Sequence, residues 1–120
     1  MSDAAASYFA DAQISTPLID VTVRMLMDTP LPVVLETHRT LTRADLRVEL
    51  AQLTLPVTVI HGTVNTSAPI DATGPPTAEL VPSANLVVID GARHGMYHAH
   101  TEQHNQALLT AIDTHPATAR

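Results

Sequence analysis

The sequence has 120 residues, 45% of them hydrophobic, so one domain with its own apolar core is expected. The net charge of −6, the lack of lysine and the scattered arginines argue against a general nucleic-acid or anionic-membrane binder, because phosphate contacts need clustered basic side chains. Without cysteine there is no disulfide framework, thiol nucleophile or cysteine-based zinc site.

The beginning of the sequence does not resemble a targeting segment. It has neither the basic region nor the long apolar stretch of a signal peptide. No apolar run in the sequence approaches the length of a membrane span. We therefore predict a soluble cytoplasmic protein with neither nucleic-acid nor membrane partners.

The sequence pattern of residues 1–55 predicts helices and no clear strand. Thr16 followed by Pro17 is typical of a helix start, with Thr16 as the N-cap. Pro32 can open a later helix in the same way, and Pro56 ends the helical part. The predicted helical stretches are 3–13, 17–28, 33–41 and a short amphipathic piece with Leu46, Leu50 and Leu53.

After Pro56 the pattern changes to that of strands. A β-branched run at 57–60, closed by Gly62, is typical of a buried parallel strand. A second run at 86–89 follows a predicted helix at about 75–81. This strand–helix–strand order predicts a right-handed crossover between two parallel strands.

The last predicted helix spans 102–113, with Thr101 as its N-cap, and the tail at 116–120 is expected to be frayed. Polar loops follow both predicted strands, and they contain Asn65 and His94. Open α/β sheets hold their chemistry just past the carboxyl ends of such strands. The side chains of the last helix predicted to face inward are Leu108, Leu109 and Ile112.

Two segments carry a resemblance to a known family. Residues 56–74 resemble the acid-bearing strand and loop of α/β-hydrolase-fold enzymes, in particular the cofactor-free haloperoxidase, perhydrolase and arylesterase branch. Residues 90–97 and 105–109 are similar to the histidine loop and last helix of that family. The resemblance implies an incomplete α/β-hydrolase fold with a helical cap-like segment 1–55, a C-terminal βαβα part 56–115 and a tail 116–120.

The resemblance also implies a site. Enzymes of this family use a serine on a Gly-x-Ser-x-Gly elbow, then an acid, then a histidine, and they need no cofactor or metal. His94 matches the histidine that acts as general base, and Asn65 falls at the acid position. The glycines, at 62, 74, 91 and 95, form no such elbow, so no nucleophile is assigned. The implied activity, ester hydrolysis or related acyl transfer or perhydrolysis, is expected to be absent from this truncated chain alone.

Other residues could supply the missing nucleophile or acid. Ser67 could replace the nucleophile only without elbow geometry, so a loop hydrogen bond is the favoured role for it. Asp71 and Asp90 could replace the acid, but a helix cap and a turn are the more ordinary roles for them. His61 with Gly62 could be mistaken for an oxyanion-hole motif, yet the residues that follow belong to the acid-bearing segment.

A metal site is an alternative of another class, because several histidines and one glutamate are dense in the sequence near the last helix. The histidine loop already explains His94, and no supporting carboxylate cluster is present, so no metal ligand is predicted. The Asn65-Thr66-Ser67 triplet fits a glycosylation acceptor but is expected to be accidental. The residues considered as metal ligands are His94, His98, His100, Glu102 and His104.

Two strands do not make a complete parallel sheet, which is normally covered on both faces. The sequence therefore predicts self-association or binding of a complementary N-terminal hydrolase fragment. The two functional alternatives are one half of a split hydrolase and a non-catalytic interaction or remnant domain. The apolar strand residues that need cover are Val57, Val59, Leu86 and Val88.

Overall fold

The computed structural model describes Tyr8 and residues 14–114, so most of the predicted helix at 3–13 and the predicted tail lie outside the described residues. Helices precede a two-stranded sheet, and further helices follow each strand. The elements in chain order are α1 (Thr16–Asp28), α2 (Leu31–Arg43), α3 (Arg47–Ala51), β1 (Val57–Gly62), a 3₁₀ turn (Ile70–Ala72), α4 (Gly74–Leu80), β2 (Ala84–Ile89), α5 (Met96–Ala99) and α6 (Thr101–Thr114).

Two predicted caps are wrong by one residue. Ser15, not Thr16, precedes α1, and its carbonyl accepts hydrogen bonds from the backbone of Leu18 and Ile19 without any side-chain cap. Thr101 is the first residue of α6, and its hydroxyl donates to carbonyls of the preceding turn instead of capping the new helix. Pro17 fits the first turn in either register, because a helix start needs no N–H there.

The strands pair in parallel, as the strand–helix–strand order predicted. The register aligns Val57 with Ala84 at one end and Gly62 with Ile89 at the other. Helix α4 packs on β1 and β2, and α6 also contacts both strands. This is the predicted incomplete α/β arrangement, in which one crossover helix joins two parallel strands.

The buried apolar core is small and lies towards the carboxyl ends of the strands. Ile89, Ala92 and Met96 form its centre, and the partly buried Ile60 packs against them. Val81 and Ala107 are the other buried hydrophobic residues among those described. The core therefore supports the loops that follow β1 and β2 better than it supports the rest of the chain.

The prediction that one apolar side of the last helix faces inward is wrong. Leu108, Leu109 and Ile112 are 45%, 55% and 57% exposed, and the buried residue of α6 is Ala107. Two strands lie only about 5 Å apart, so this sheet is too narrow to cover a wider helix face. The helix is amphipathic, but most of its large side chains have no surface to pack on in the part of the chain described.

Helices α1 and α2 bury no residue. Up to Val57 the described residues contain helices and no strand, while the division into segments 1–55 and 56–115 stays a prediction. None of the described helices is long and apolar enough to cross a membrane.

Candidate active site

The loops that follow the two strands lie side by side. We call residues 63–69, after β1, the first loop and residues 90–95, after β2, the second loop. The Thr63 backbone N–H donates to the Ile89 carbonyl at 3.1 Å, and that of Val64 donates to the Ala92 carbonyl, also at 3.1 Å. Because parallel strands end at the same edge of the sheet, these bonds bring together side chains distant in sequence.

The Thr63 hydroxyl makes a second connection between the loops. It donates to Oδ1 of Asp90 at 3.1 Å and accepts from the Gly91 backbone N–H at 2.8 Å. Asp90 is exposed and occupies a turn, which is the role that the sequence favoured over a catalytic one. Sequence reasoning missed Thr63.

Two glycines allow this close approach. A Cβ at Gly62 would lie 2.2 Å from the carbonyl oxygen of Ala92, which is far inside a van der Waals contact. Gly91 has a φ of +69°, in the left-handed region that glycine tolerates best, and has open space around it. Gly62 is therefore required by contact, whereas Gly91 is favoured by backbone conformation.

Asn65 and His94, the two residues that the resemblance singled out, meet across the two loops. Nδ2 of Asn65 lies 3.2 Å from Nδ1 of His94. Oδ1 of Asn65 accepts hydrogen bonds from the backbone N–H groups of Ser67 at 3.1 Å and Ala68 at 3.0 Å. Asn65 is only 5% exposed, whereas His94 is exposed. This burial also opposes use of Asn65 as a glycosylation acceptor in the folded chain.

The backbone donors fix which way the Asn65 amide points. Two N–H groups need an acceptor, so the carbonyl oxygen faces them and the NH₂ group faces His94. Nδ1 of a neutral His94 must then accept this bond, and its proton sits on Nε2. A hydrolase triad needs the opposite arrangement, with a proton on Nδ1 and a free lone pair on Nε2.

The described side chains that could replace the nucleophile or the acid are not hydrogen-bonded to His94. Ser67 is exposed and takes part in the first loop through its backbone N–H. Asp71 is exposed in the short 3₁₀ turn Ile70–Ala72. In the part of the chain that the structure describes, neither the Asp71 nor the Asp90 carboxylate is hydrogen-bonded to His94.

His61 is a buried structural residue at the end of β1. Its Nδ1 lies 2.9 Å from the Gly62 carbonyl oxygen, and its Nε2 lies 2.8 Å from Oγ1 of Thr73. Oγ1 of Thr73 also lies 2.8 Å from the Pro69 carbonyl oxygen, and its single proton can go to this oxygen or to Nε2 of His61 but not to both at once. A Cβ at Gly74 would come within 3.1 Å of the imidazole ring. These contacts anchor the end of the first loop and leave no oxyanion-hole role for His61.

Tyr8 lies against His94, and nothing in the sequence pattern indicated this. The two ring centroids are 5.2 Å apart with an edge-on geometry, and the Tyr8 carbonyl accepts from the Gly95 N–H at 2.8 Å. The hydroxyl groups of Tyr8 and Tyr97 are 2.8 Å apart. Burial, followed by this hydrogen bond, raises the pKa of Tyr8 to about 12.

The histidines considered for a metal site do not converge. Nδ1 of His100 bonds to Oε1 of Gln103 at 3.1 Å, while the His98 and His104 rings lie 4.5 and 6.5 Å from the Tyr97 ring. Across Tyr8 and residues 14–114, no three histidine or acidic side chains are placed to hold one metal ion.

A cavity of about 240 Å³ adjoins the pair and is lined by Asn65, His94, His61, Thr73 and Met96, among others. A larger groove of about 810 Å³ runs between β2 and α6, away from Asn65 and His94. We place the candidate site at the smaller cavity, because the hydrogen-bonded pair Asn65 and His94 lines it.

No family model matches the sequence, but individual known proteins are similar to it. The chain is 37% identical over 71 residues to the non-heme chloroperoxidase CPO-A1 of Kitasatospora aureofaciens, a match covering 58% of this chain and 26% of that protein. It is 35% identical over 68 residues to a non-heme chloroperoxidase of Streptomyces lividans, covering 57% of this chain and 25% of that protein. The chain thus spans about a quarter of the length of these relatives.

Solved structures share the fold. A bromoperoxidase from Bacillus anthracis superimposes with a TM-score of 0.85 at 22% identity, over 92% of this chain and 42% of its own. The α/β hydrolase MGS-MChE2, from a lagoon-sediment metagenome, gives a TM-score of 0.67 at 22% identity, over 80% of this chain and 44% of its own. Together with the sequence matches, these structures show that the chain has part of an α/β-hydrolase fold and is similar to haloperoxidases over part of their length.

Proposed function

We propose that this chain is a catalytically incomplete member of the α/β-hydrolase family that does not hydrolyse esters on its own. The observation that carries the proposal is the direction of the hydrogen bond from Nδ2 of Asn65 to Nδ1 of His94. The bond holds the imidazole in place, but it leaves a proton on the nitrogen that should accept one. The pair therefore keeps the catalytic position without the catalytic protonation state.

Three deficits add up. His94 cannot take a proton on Nε2 while its neutral form already carries one there. Asn65 also has no charge to stabilise an imidazolium. The equivalent Asp→Asn change in a serine protease, which includes the tautomer effect, lowers turnover about ten-thousandfold, roughly 5.5 kcal/mol of barrier. In addition, the 120 residues contain no Gly-x-Ser-x-Gly elbow.

For the complete protein we propose the family chemistry, namely hydrolysis of a small ester or related acyl transfer or perhydrolysis. The relatives are named chloroperoxidase and bromoperoxidase, and they share this fold over part of their length. Within that chemistry the His94 position would serve as general base and position 65 as its orienting partner. The serine nucleophile would have to come from residues outside this sequence.

A specific observation favours a second candidate function, that of a segment completed by another polypeptide. Neither α1 nor α2 buries a residue, although both carry many apolar side chains. Exposed hydrophobic surface of this extent marks an interaction site. The most exposed examples are Met25 (68%), Leu26 (68%), Met27 (78%), Leu31 (66%) and Leu41 (70%).

The first test is an ester-hydrolysis assay of the purified chain with nitrophenyl acetate. The expected rate is the same for the natural sequence and for His94→Ala. A matched control is His38→Ala, which removes an exposed imidazole on α2. Hydrolysis that disappears with His94→Ala but persists with His38→Ala would overturn the claim of inactivity.

The second test separates the partner candidates. Self-association predicts an unfolding midpoint that rises with protein concentration and a sedimentation coefficient above that of a monomer. Completion by a hydrolase fragment predicts that co-expression with a segment carrying a serine elbow yields a stable complex with His94-dependent activity. A sharp, concentration-independent monomeric transition without complex formation would argue against both and would favour a remnant domain. A serine elbow in the reading frame upstream would favour the split or broken enzyme.

A further inference from the structure

We propose that Thr63 is a positioning residue that holds Asn65 against His94. It lies two residues before Asn65, in the first loop, and bonds to Ile89, the last residue of β2, and to Asp90 and Gly91 of the second loop. The inference deepens the proposed function, since it concerns the same pair, Asn65 and His94. It rests on the proposed function only for the statement that this pair is the incomplete catalytic pair.

The Thr63 hydroxyl both donates and accepts a hydrogen bond. It donates its single proton to the Asp90 carboxylate and accepts the Gly91 N–H, so its orientation is fixed from both sides. A hydrogen bond to a carboxylate is stronger than one between neutral groups. Together with the N–H bond to Ile89, this hydroxyl ties the beginning of the first loop to the turn that leads to His94.

The second loop needs such a tie because of its glycine. Gly91 has a φ of +69° and is exposed, so neither packing nor a side chain restricts its backbone. The bond from its N–H to Thr63 fixes this turn three residues before His94. If the turn changes conformation, the His94 ring moves relative to Asn65, which is held separately by Ser67 and Ala68.

The test measures hydrogen exchange of the Asn65 side-chain NH₂ by NMR in otherwise natural chains. Thr63→Val keeps the shape of the side chain and removes both hydroxyl bonds, so exchange is expected to become about tenfold faster, the factor for one ordinary hydrogen bond. Thr63→Ser keeps the hydroxyl and is expected to restore slow exchange. Thr66→Val makes the same chemical change at an exposed threonine of the same loop and is expected to have no effect.

Unchanged exchange in a folded Thr63→Val chain would overturn the proposal, as would equal acceleration by Thr66→Val. If Thr63→Val does not fold, Asp90→Ala removes only the acceptor at an exposed position, and unchanged exchange there would also overturn it. This readout does not depend on ester hydrolysis. Catalytic activity of the natural chain would therefore defeat the proposed function while leaving the positioning role of Thr63 intact.

Discussion

The side-chain nitrogen of Asn65 lies 3.2 Å from Nδ1 of His94, and the oxygen of the same amide is held by the N–H groups of Ser67 and Ala68. An aspartate in this geometry would accept all three of these bonds, one of them from a protonated Nδ1. The site therefore differs from a working acid–histidine pair by one NH₂ group in place of one oxygen. The backbone around it is already arranged for a carboxylate.

We expect Asn65→Asp to move the proton of neutral His94 from Nε2 to Nδ1. The carboxylate cannot donate, so Nδ1 must become the donor. NMR of the ¹⁵N-labelled imidazole at about pH 8, where an ordinary histidine is neutral, reads this directly. The variant is still expected to lack esterase activity, because it gains no nucleophile.

Asn85→Asp is a matched control for that change, because it makes the same substitution at an exposed residue of β2. It should leave the His94 proton on Nε2. A natural chain that already carries the proton on Nδ1 would contradict the assignment of the amide, and with it the physical basis of the proposed inactivity.

The two loops that contain Asn65 and His94 could be predicted from local patterns, whereas the two residues themselves were singled out by the family resemblance. Short β-branched runs bounded by Pro56, Gly62 and Gly91 indicate parallel strands, and parallel strands deliver their following loops to one edge. The polar residues directly after those strands therefore belong to loops that lie at the same edge of the sheet. The structure places Asn65 and His94 at hydrogen-bonding distance.

The supporting contacts could not be predicted in the same way. The bonds of Thr63 to Asp90 and of Thr73 to His61 join residues 27 and 12 positions apart, and neither leaves a periodic trace in the sequence. The prediction that Leu109 faces inward was wrong for another reason. A helix pattern gives the apolar side of α6, but it does not say how many strands are present to cover it.

Gly62→Ala is expected to destabilise the chain more than Gly91→Ala. The added Cβ at Gly62 would lie 2.2 Å from the Ala92 carbonyl oxygen, so the two loops must separate, at a cost of about 3 kcal/mol or loss of folding. At Gly91 the space is open and the cost is conformational, about 1–2 kcal/mol for a left-handed residue. Urea unfolding monitored by circular dichroism compares the two. Equal losses would show that the loops do not need the close approach.

Thr73→Val is expected to lower stability by about 1–3 kcal/mol, because it leaves Nε2 of the buried His61 without a partner. Thr73→Ser keeps the hydroxyl and should recover most of the loss. The same urea experiment measures both. Equal stability of the valine and serine variants would mean that water replaces this hydroxyl and that the His61 contact does not anchor the first loop.

The contact between Tyr8 and Tyr97 predicts a loss of stability at high pH. Burial and the hydrogen bond with Tyr97 raise the pKa of Tyr8 from 10.0 to about 12, so folding favours the neutral phenol. The corresponding stabilisation is complete below about pH 10 and is lost as the pH rises towards 12.

Because the chain has only two tyrosines, an absorbance titration of Tyr97→Phe reads Tyr8 alone, and Tyr8→Phe reads Tyr97 alone. Tyr97→Phe should lower the pKa of Tyr8 only in part, since burial is the larger cause. A Tyr8 that titrates near 10 in Tyr97→Phe would contradict the burial of its ring.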